Sequence, residues 1–175
     1  MRKVAVEDAI GQPLGHDITK IVPGKVKLRA FRRGHIVEPE DIDKLKDLGK
    51  EHIYIWEPND TQVHEDDAAV RLASNAAGPG IYCTKPSQGR VNLMAAEDGL
   101  LKIQVDRLNQ INNLNNLVFA TLHNNRVVKK DQMLGGTRIV PLAIDAVVLE
   151  QAENLCREPD PLMQVLPFKP LWVAV

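Results

Sequence analysis

The chain has 175 residues, of which 44% are hydrophobic and 26% are charged. This length and composition are sufficient to bury a core, which predicts one domain or two small ones and excludes a disordered segment. The 22 basic residues nearly balance the 23 acidic ones, so overall charge gives no reason to expect binding to nucleic acid or to an anionic membrane. With three Phe, two Tyr and two Trp, the chain also has few side chains on which bases could stack.

No apolar run approaches the roughly 20 residues needed to cross a bilayer. The N-terminal "MRKVAVEDAIG" reaches acidic residues before the core of a signal peptide can form. Cys83 and Cys156 are too few for a disulfide framework or a paired zinc knuckle, and both are expected to be small buried thiols. These features predict a cytoplasmic protein.

The first elements are a strand, a helix and a second strand. Residues 26–31, "VKLRAF", alternate as in a half-buried strand, with Val26, Leu28 and Ala30 predicted on the buried face. A helix is expected to follow Gly34, with Pro39 at its first position, acidic residues in its first turn and Gly49 at its end. Its predicted buried stripe consists of Ile42, Leu45 and Leu48. The segment "HIYIW" then predicts another strand.

A second helix is predicted from His64, with a small apolar stripe that Gly78-Pro79-Gly80 ends. The stripe consists of Ala69, Leu72, Ala73 and Ala76. Next, Asp98-Gly99 between two apolar runs predicts the tight turn of a β-hairpin. A short helix over 106–114, strands at "LVFATL" and "TRIVPLAI", and a last helix capped by Asp145 complete the expected order.

These elements predict a mixed α+β fold of two small lobes, each built of short strands with single helices as a β-rich, barrel-like or clip-like module. The predicted division is a β-rich lobe over 1–62, a connecting helix over 63–80 and a second α+β lobe over 81–160. Residues 161–175 end in "LPFKPLWVAV", which is typical of a strand that begins a further domain.

Three histidines are candidates for a metal site. His16 adjoins Asp17, but the strand-like "ITKIV" follows at once, which favours a polar turn over a metal-binding dyad. His64 precedes three acidic residues, Glu65 to Asp67, a pattern that a helix dipole favours without any ligand. His123 falls in a loop, where turn chemistry accounts for the neighbouring asparagines. A metal held by His64, Glu65 and His123 is the alternative that remains open.

The local charge excess lies in the first lobe, where five cations fall within residues 25–33. Lys27, Arg32 and Arg33 are the candidate contacts for an anionic ligand, and solvated charges on a strand face are the competing interpretation. The sequence contains no Ser-His-Asp or Cys-His constellation and no phosphate-binding glycine-rich loop, so we assign no catalytic residue.

Several ordered phrases resemble the N-terminal half of bacterial molybdopterin-binding proteins related to molybdopterin molybdotransferase and the gephyrin E domain. They are "VEDAIGQPLGHDITKIVPG", "FRRGHIVEPEDIDKLKDLGKEHIYIWE", "HEDDAA", "GRVNLMAAEDGLLKIQV", "ATLHNNRVVKKDQMLGGTRIVPL" and "PFKPLWVAV". The resemblance runs over nearly the whole chain. It implies a truncated form whose pterin-binding domain would follow and would begin with the last of these phrases.

The resemblance implies an accessory, non-catalytic region that acts in molybdenum cofactor biosynthesis or delivery. Its cofactor would be molybdopterin, bound through the absent downstream domain, and its partners would be a second copy in a homodimer and a client molybdoenzyme. The Ser-Ala-Met-Asp-Gly-Tyr motif of the transferases is missing from these residues. Two other functions remain open: a self-contained metal-dependent enzyme or small-molecule binder, and a pure interaction module.

Overall fold

A computed structural model describes residues 1–21, 27–57, 61–157 and 159–169. Within them the fold is mixed α+β, as predicted, and the strands form small open sheets of two to four members. None of the helices in these ranges is long and apolar enough to cross a membrane. The helices are α1 (Asp41–Asp47), α2 (Glu65–Ala76), α3 (Val105–Asn112) and α4 (Ala146–Arg157). The strands are β1 (Arg2–Ala5), β2 (Ile18–Ile21), β3 (Lys27–Phe31), β4 (His52–Ile55), β5 (Gln62–His64), β6 (Ile81–Cys83), β7 (Arg90–Ala95), β8 (Gly99–Ile103), β9 (Leu117–Thr121), β10 (Arg126–Val128), β11 (Met133–Ile139), β12 (Ala143–Asp145) and β13 (Met163–Pro167).

The chain divides into two compact units, residues 1–60 and 61–175. Helix α2, predicted as a connecting segment over 63–80, belongs to the core of the second unit, because its stripe from Ala69 to Ala76 is fully buried there. Strand β13 also belongs to the second unit, since it pairs along its length with β8. The expectation that 161–175 begin a further domain is therefore wrong for Met163–Pro167, and residues 170–175 lie outside the described ranges.

The first unit contains an antiparallel ladder of β1 and β4, the β2–β3 hairpin and helix α1. Its apolar core takes one or two residues from each element, because each strand buries alternate side chains. The predicted stripe of α1 is confirmed: Leu45 is fully buried, and Ile42 and Leu48 pack against the core. Gly49 follows the helix with φ +72°, a conformation that glycine adopts at little cost.

The predicted buried face of β3 is wrong at Leu28 and Ala30, and Val26 lies outside the described residues. Leu28 is 59% exposed and Ala30 is exposed, whereas Phe31 is buried. The register shifts between Ile18 and Thr19, so that Ile18 pairs with Phe31 and Thr19 with Arg29, which leaves Ala30 as an extra residue. Such a bulge interrupts the alternation of a strand. Ile18 and Phe31 face the core, whereas Leu28 pairs with Lys20 and both of these side chains are exposed.

A buried carboxylate organises the start of α1. Asp41 is 4% exposed and lies 2.6 Å from Nε2 of His35. It also accepts hydrogen bonds from the backbone N–H of Glu38 at 3.2 Å and from Nζ of Lys44 at 3.3 Å. Burial raises the pKa of Asp41, but the hydrogen bonds from His35, Glu38 and Lys44 together outweigh it and lower the pKa below its ordinary value.

This shift predicts a stability that depends on pH. Because the pKa of Asp41 is lower in the folded than in the unfolded chain, the carboxylate stabilises the fold above about pH 4 and loses that effect as the pH falls through its folded pKa. We expect Asp41→Asn to lower the free energy of unfolding at pH 7 by about 1–2 kcal/mol and by less at pH 3. Urea denaturation at both pH values checks this, with the exposed Asp47→Asn as the control.

The second unit has α2 packed between a four-stranded sheet and α4. The sheet has the order β6-β7-β11-β9, and α2 lies against β7 and β11 on one side and α4 on the other. A bidentate ion pair joins the two helices: Arg71 donates from Nε and Nη2 to the carboxylate of Glu153 at 2.7 and 2.9 Å. Glu153 is 4% exposed, so the ion pair offsets the free-energy cost of removing its carboxylate from water.

The predicted hairpin at Asp98-Gly99 does not form. Strand β7 pairs with β6 and β11, whereas β8 lies in a separate sheet with the order β10-β8-β13. Gly99 is not among the residues with positive φ. Its role is to admit a neighbouring backbone, because a Cβ at Gly99 would lie 2.4 Å from the carbonyl oxygen of Leu166 on β13.

Candidate functional site

The His16-Asp17 pair serves the framework of the first unit. One carboxylate oxygen of Asp17 accepts the backbone N–H of Arg33 at 2.9 Å, and the other lies 2.9 Å from Nε of Arg29. The ring of His16 meets Tyr54 edge to face, with 5.9 Å between the centroids. The carboxylate of Asp17 therefore joins the turn before β2 to the end of β3. This agrees with the interpretation of the His16-Asp17 pair as a polar turn.

The basic segment does not converge on one point within the described residues. The guanidinium of Arg33 lies over Trp56, 5.4 Å from the ring centroid, and Arg29 pairs with Asp17. Arg32 is exposed. Lys25 and the side chain of Lys27 lie outside what the structure describes, so Arg32 and Arg33 are the candidate anion contacts whose surroundings are seen.

His64 begins helix α2. It is 1% exposed, and its Nδ1 accepts a hydrogen bond from the backbone N–H of Asp66 at 3.1 Å. Asp66 in turn accepts the backbone N–H of Gly89 at 2.8 Å. Glu65 packs on the same glycine, since a Cβ at Gly89 would lie 2.8 Å from its Oε2. These contacts cap the helix and connect it to the turn before β7. This agrees with the interpretation of His64 to Asp67 as the start of a helix.

His123 lies at the opposite end of the sheet. It is exposed in the loop between β9 and β10 and follows Thr121, which pairs with Gly135. Gly89, on which Glu65 packs, accepts a hydrogen bond from the N–H of Ile139. The stretch of β11 from Gly135 to Ile139 spans about 13 Å. The structure thus separates His123 from His64 and Glu65, and the described residues contain no group of three side chains suited to a metal ion.

The cysteines are held as thiols by burial. Cys156 is fully buried on α4, and burial raises its pKa to about 12. Cys83 on β6 is partly buried, and burial raises its pKa as well. A nucleophilic cysteine needs the opposite shift, since the thiolate is the reactive form.

A groove that the sequence did not predict lies on the outer face of the four-stranded sheet. It has a volume of about 350 Å³ and runs over Gly135 and Gly136 on β11, beside Arg90 on β7 and Val118 on β9. The side chains on the other face of these strands, such as Val91, Phe119 and Ile139, are buried. The signal that could have revealed the groove is the Gly-Gly pair inside a strand, because glycine there marks a close approach to the backbone.

Residues 3–57 match a family described as a domain of unknown function, DUF8806. The match covers less than half of the chain and lies within the first unit, from β1 to the residues just after β4. No curated protein matches the chain, and no solved structure matches it. The comparisons therefore relate the first unit to a known sequence family and leave the function to be argued from the structure.

The position of His64 predicts a role in stability. We expect His64→Ala to lower the free energy of unfolding by about 2 kcal/mol, because the cap is lost and a small cavity is left. The loss should be the same with and without a chelator in urea denaturation. His123→Ala, a change in an exposed loop, is the control and should shift stability by less than about 0.5 kcal/mol. Stoichiometric metal that His64→Ala removes would contradict this role.

The two thiols should differ in alkylation. At pH 8 a thiol of pKa about 12 is ionised to roughly one part in ten thousand, and Cys156 is also buried. We therefore expect iodoacetamide to modify Cys156 only as the protein unfolds and Cys83 slowly in the folded state, as followed by mass spectrometry. Equal rates for Cys156 in native and urea-unfolded protein would show that its burial is not maintained.

Proposed function

We propose that the chain is the accessory N-terminal region of a molybdopterin-binding protein that acts in the cytoplasm in molybdenum cofactor biosynthesis or delivery. In this proposal the pterin is bound by a domain that follows the second unit. The region described here supports that domain, pairs with a second copy and presents a surface to a client molybdoenzyme. The ordered phrases that resemble that class of proteins support the proposal.

The observation that carries the accessory role is the use made of the polar residues in those phrases. In "HEDDAA", His64 and Asp66 form the hydrogen bonds that start α2 and join it to Gly89. In "GHDITK", Asp17 binds the backbone of Arg33. The side chains that could have formed a reactive centre are thus engaged in holding elements together, which favours a framework over a catalyst.

Arg32 is the residue of the basic segment best placed to meet the anion of the pterin. It is exposed and follows β3, whereas Arg33 stacks on Trp56 and Arg29 is paired with Asp17. An arginine can form two parallel hydrogen bonds to a phosphate. Lys27, on β3, is proposed as a further contact with the anion on the basis of the sequence alone.

The competing function, a metal-dependent enzyme built on His64, Glu65 and His123, has no support from the geometry. Its three residues lie toward opposite ends of β11, and His64 uses Nδ1 to cap α2. Bringing them to one ion would require unravelling either the helix start or the strand pairing between β9 and β11.

Calorimetry with molybdopterin tests the proposed division of labour. Under anaerobic conditions we expect little heat from the 175-residue chain and clear binding by a polypeptide extended with the residues encoded after Val175. In the extended protein, Arg32→Gln should weaken binding about three- to tenfold, because it removes one charge-assisted contact.

The exposed Lys3→Gln is the control for the loss of one positive charge in the same unit and should leave the affinity unchanged. Equally tight binding by the 175-residue chain alone would overturn the accessory role. Absence of binding by the extended polypeptide would overturn the relation to molybdopterin altogether.

A further inference from the structure

The groove on the outer face of the β6-β7-β11-β9 sheet has the features of a ligand site. The inner face of this sheet is covered by α2, while the outer face leaves the groove of about 350 Å³ open. Its floor lies along β11, and its sides are formed by outward-facing residues of β7 and β9. All of these residues belong to the second unit.

The floor is flat because β11 carries Gly136 at an outward-facing position, opposite Asn92 on β7. A Cβ at Gly136 would lie 3.1 Å from Oδ1 of Asn92 and 3.7 Å from Nε of Arg90, so any side chain there would extend into the groove. Gly135 cannot carry a side chain without rearrangement, since a Cβ would lie 2.5 Å from the carbonyl oxygen of Ala120. Gly135 is buried and pairs with the buried Leu93, so Gly136 is the glycine that presents bare backbone on which a planar group can lie.

The sides of the groove are apolar and accessible. Val118 on β9 is 49% exposed, and Met133 on β11 is 47% exposed. Both apolar side chains are therefore accessible to a bound ligand. Leu122, which follows β9, also contributes to the lining. Apolar walls with a few placed polar groups are typical of sites for small molecules.

Two arginines stand directly opposite each other at one end of the groove. Arg138 on β11 pairs in register with Arg90 on β7, and both are exposed on the outer face. Like charges opposite one another on neighbouring strands repel. Arg90 donates from Nε to Asn92 at 2.9 Å, and within the described residues neither arginine forms an ion pair with a carboxylate. An anion between the guanidinium groups would relieve the repulsion.

We propose that this groove binds a flat, apolar aromatic ring carrying one phosphate or carboxylate group, because the sides of the groove are apolar. The ring lies on Gly136 against Val118 and Met133, and the anion lies between Arg90 and Arg138. A second copy placed face to face would bring four arginines together, so the charges favour a small anion over self-association. The inference does not rest on the proposed function, which assigns molybdopterin to another domain.

Titration of the 175-residue chain with four probes, followed by amide chemical shifts, tests the site. The probes are 2-naphthyl phosphate, 2-naphthoate, neutral 2-naphthol and inorganic phosphate. We expect the first two to perturb β7, β9 and β11 and to bind at least fivefold more tightly than naphthol or inorganic phosphate. The comparison of the first two identifies which anion the arginines prefer.

Three variants locate the binding. Arg138→Met, which keeps much of the apolar stem, should weaken 2-naphthyl phosphate at least fivefold and leave 2-naphthol nearly unchanged. Gly136→Val should weaken both, because its side chain fills the groove, and the milder Gly136→Ala replaces it if the valine variant fails to fold. Arg126→Met on β10 is the matched control, an exposed strand arginine away from the groove, and should change neither.

Several results would overturn the proposal. Shifts outside β7, β9 and β11, or equal binding by inorganic phosphate and naphthyl phosphate, would show that the groove does not recognise a ring with its anion. Absence of binding by either naphthyl anion at millimolar concentration would show the same. Each result leaves the calorimetry with molybdopterin and the extended polypeptide unaffected, so the two proposals fail separately.

Discussion

The second unit depends on the hydrogen bonds that begin helix α2. A helix start leaves backbone N–H groups without partners inside the helix. Here Nδ1 of His64 accepts the N–H of Asp66, and the carboxylate of Asp66 accepts the N–H of Gly89. The first bond fixes where the helix begins, and the second fixes where it lies relative to β7. From that position α2 covers the inner face of the sheet and reaches α4 through Arg71 and Glu153.

The same arrangement explains why residues that look reactive in the sequence are structural in the fold. His64, Glu65 and Asp66 stand together because a helix dipole favours acids in its first turn and because a capping side chain is needed. Asp41 has an equivalent part in the first unit, where it binds His35 and the N–H of Glu38 at the start of α1. In both units a buried or half-buried polar group is balanced by specific partners, which limits the freedom of that group to serve a ligand.

Local patterns in the sequence predicted the helices well and the strand pairing poorly. The stripes of α1 and α2 follow from spacing along one segment, and Asp145 caps α4 as expected, accepting the N–H of Val147 at 2.8 Å. The error at Gly99 arose because a glycine serves two purposes: it can form a turn, or it can admit a neighbouring backbone. Its actual neighbour, Leu166, is distant in sequence, so no local rule could identify it. The error at Leu28 likewise concerns pairing, because Leu28 lies opposite Lys20 in a part of the β2–β3 hairpin where both side chains are exposed.

The groove was hidden for a related reason. Gly135 and Gly136 weaken β11 when judged by strand propensity, and Arg90 and Arg138 are ordinary surface residues when judged one at a time. Their meaning depends on the pairing of β7 with β11, which places the two arginines opposite each other and Asn92 beside Gly136. The two faces of the sheet thus differ in composition. The inner face packs Val91, Phe119 and Ile139 into the core. The outer face has backbone without a covering side chain and, in the part of the chain that the structure describes, two arginines without an acidic partner. Fold stability accounts for the first arrangement but not for the second, since an acid in place of either arginine would remove the repulsion without disturbing the core. That difference is the physical reason to assign the outer face to recognition.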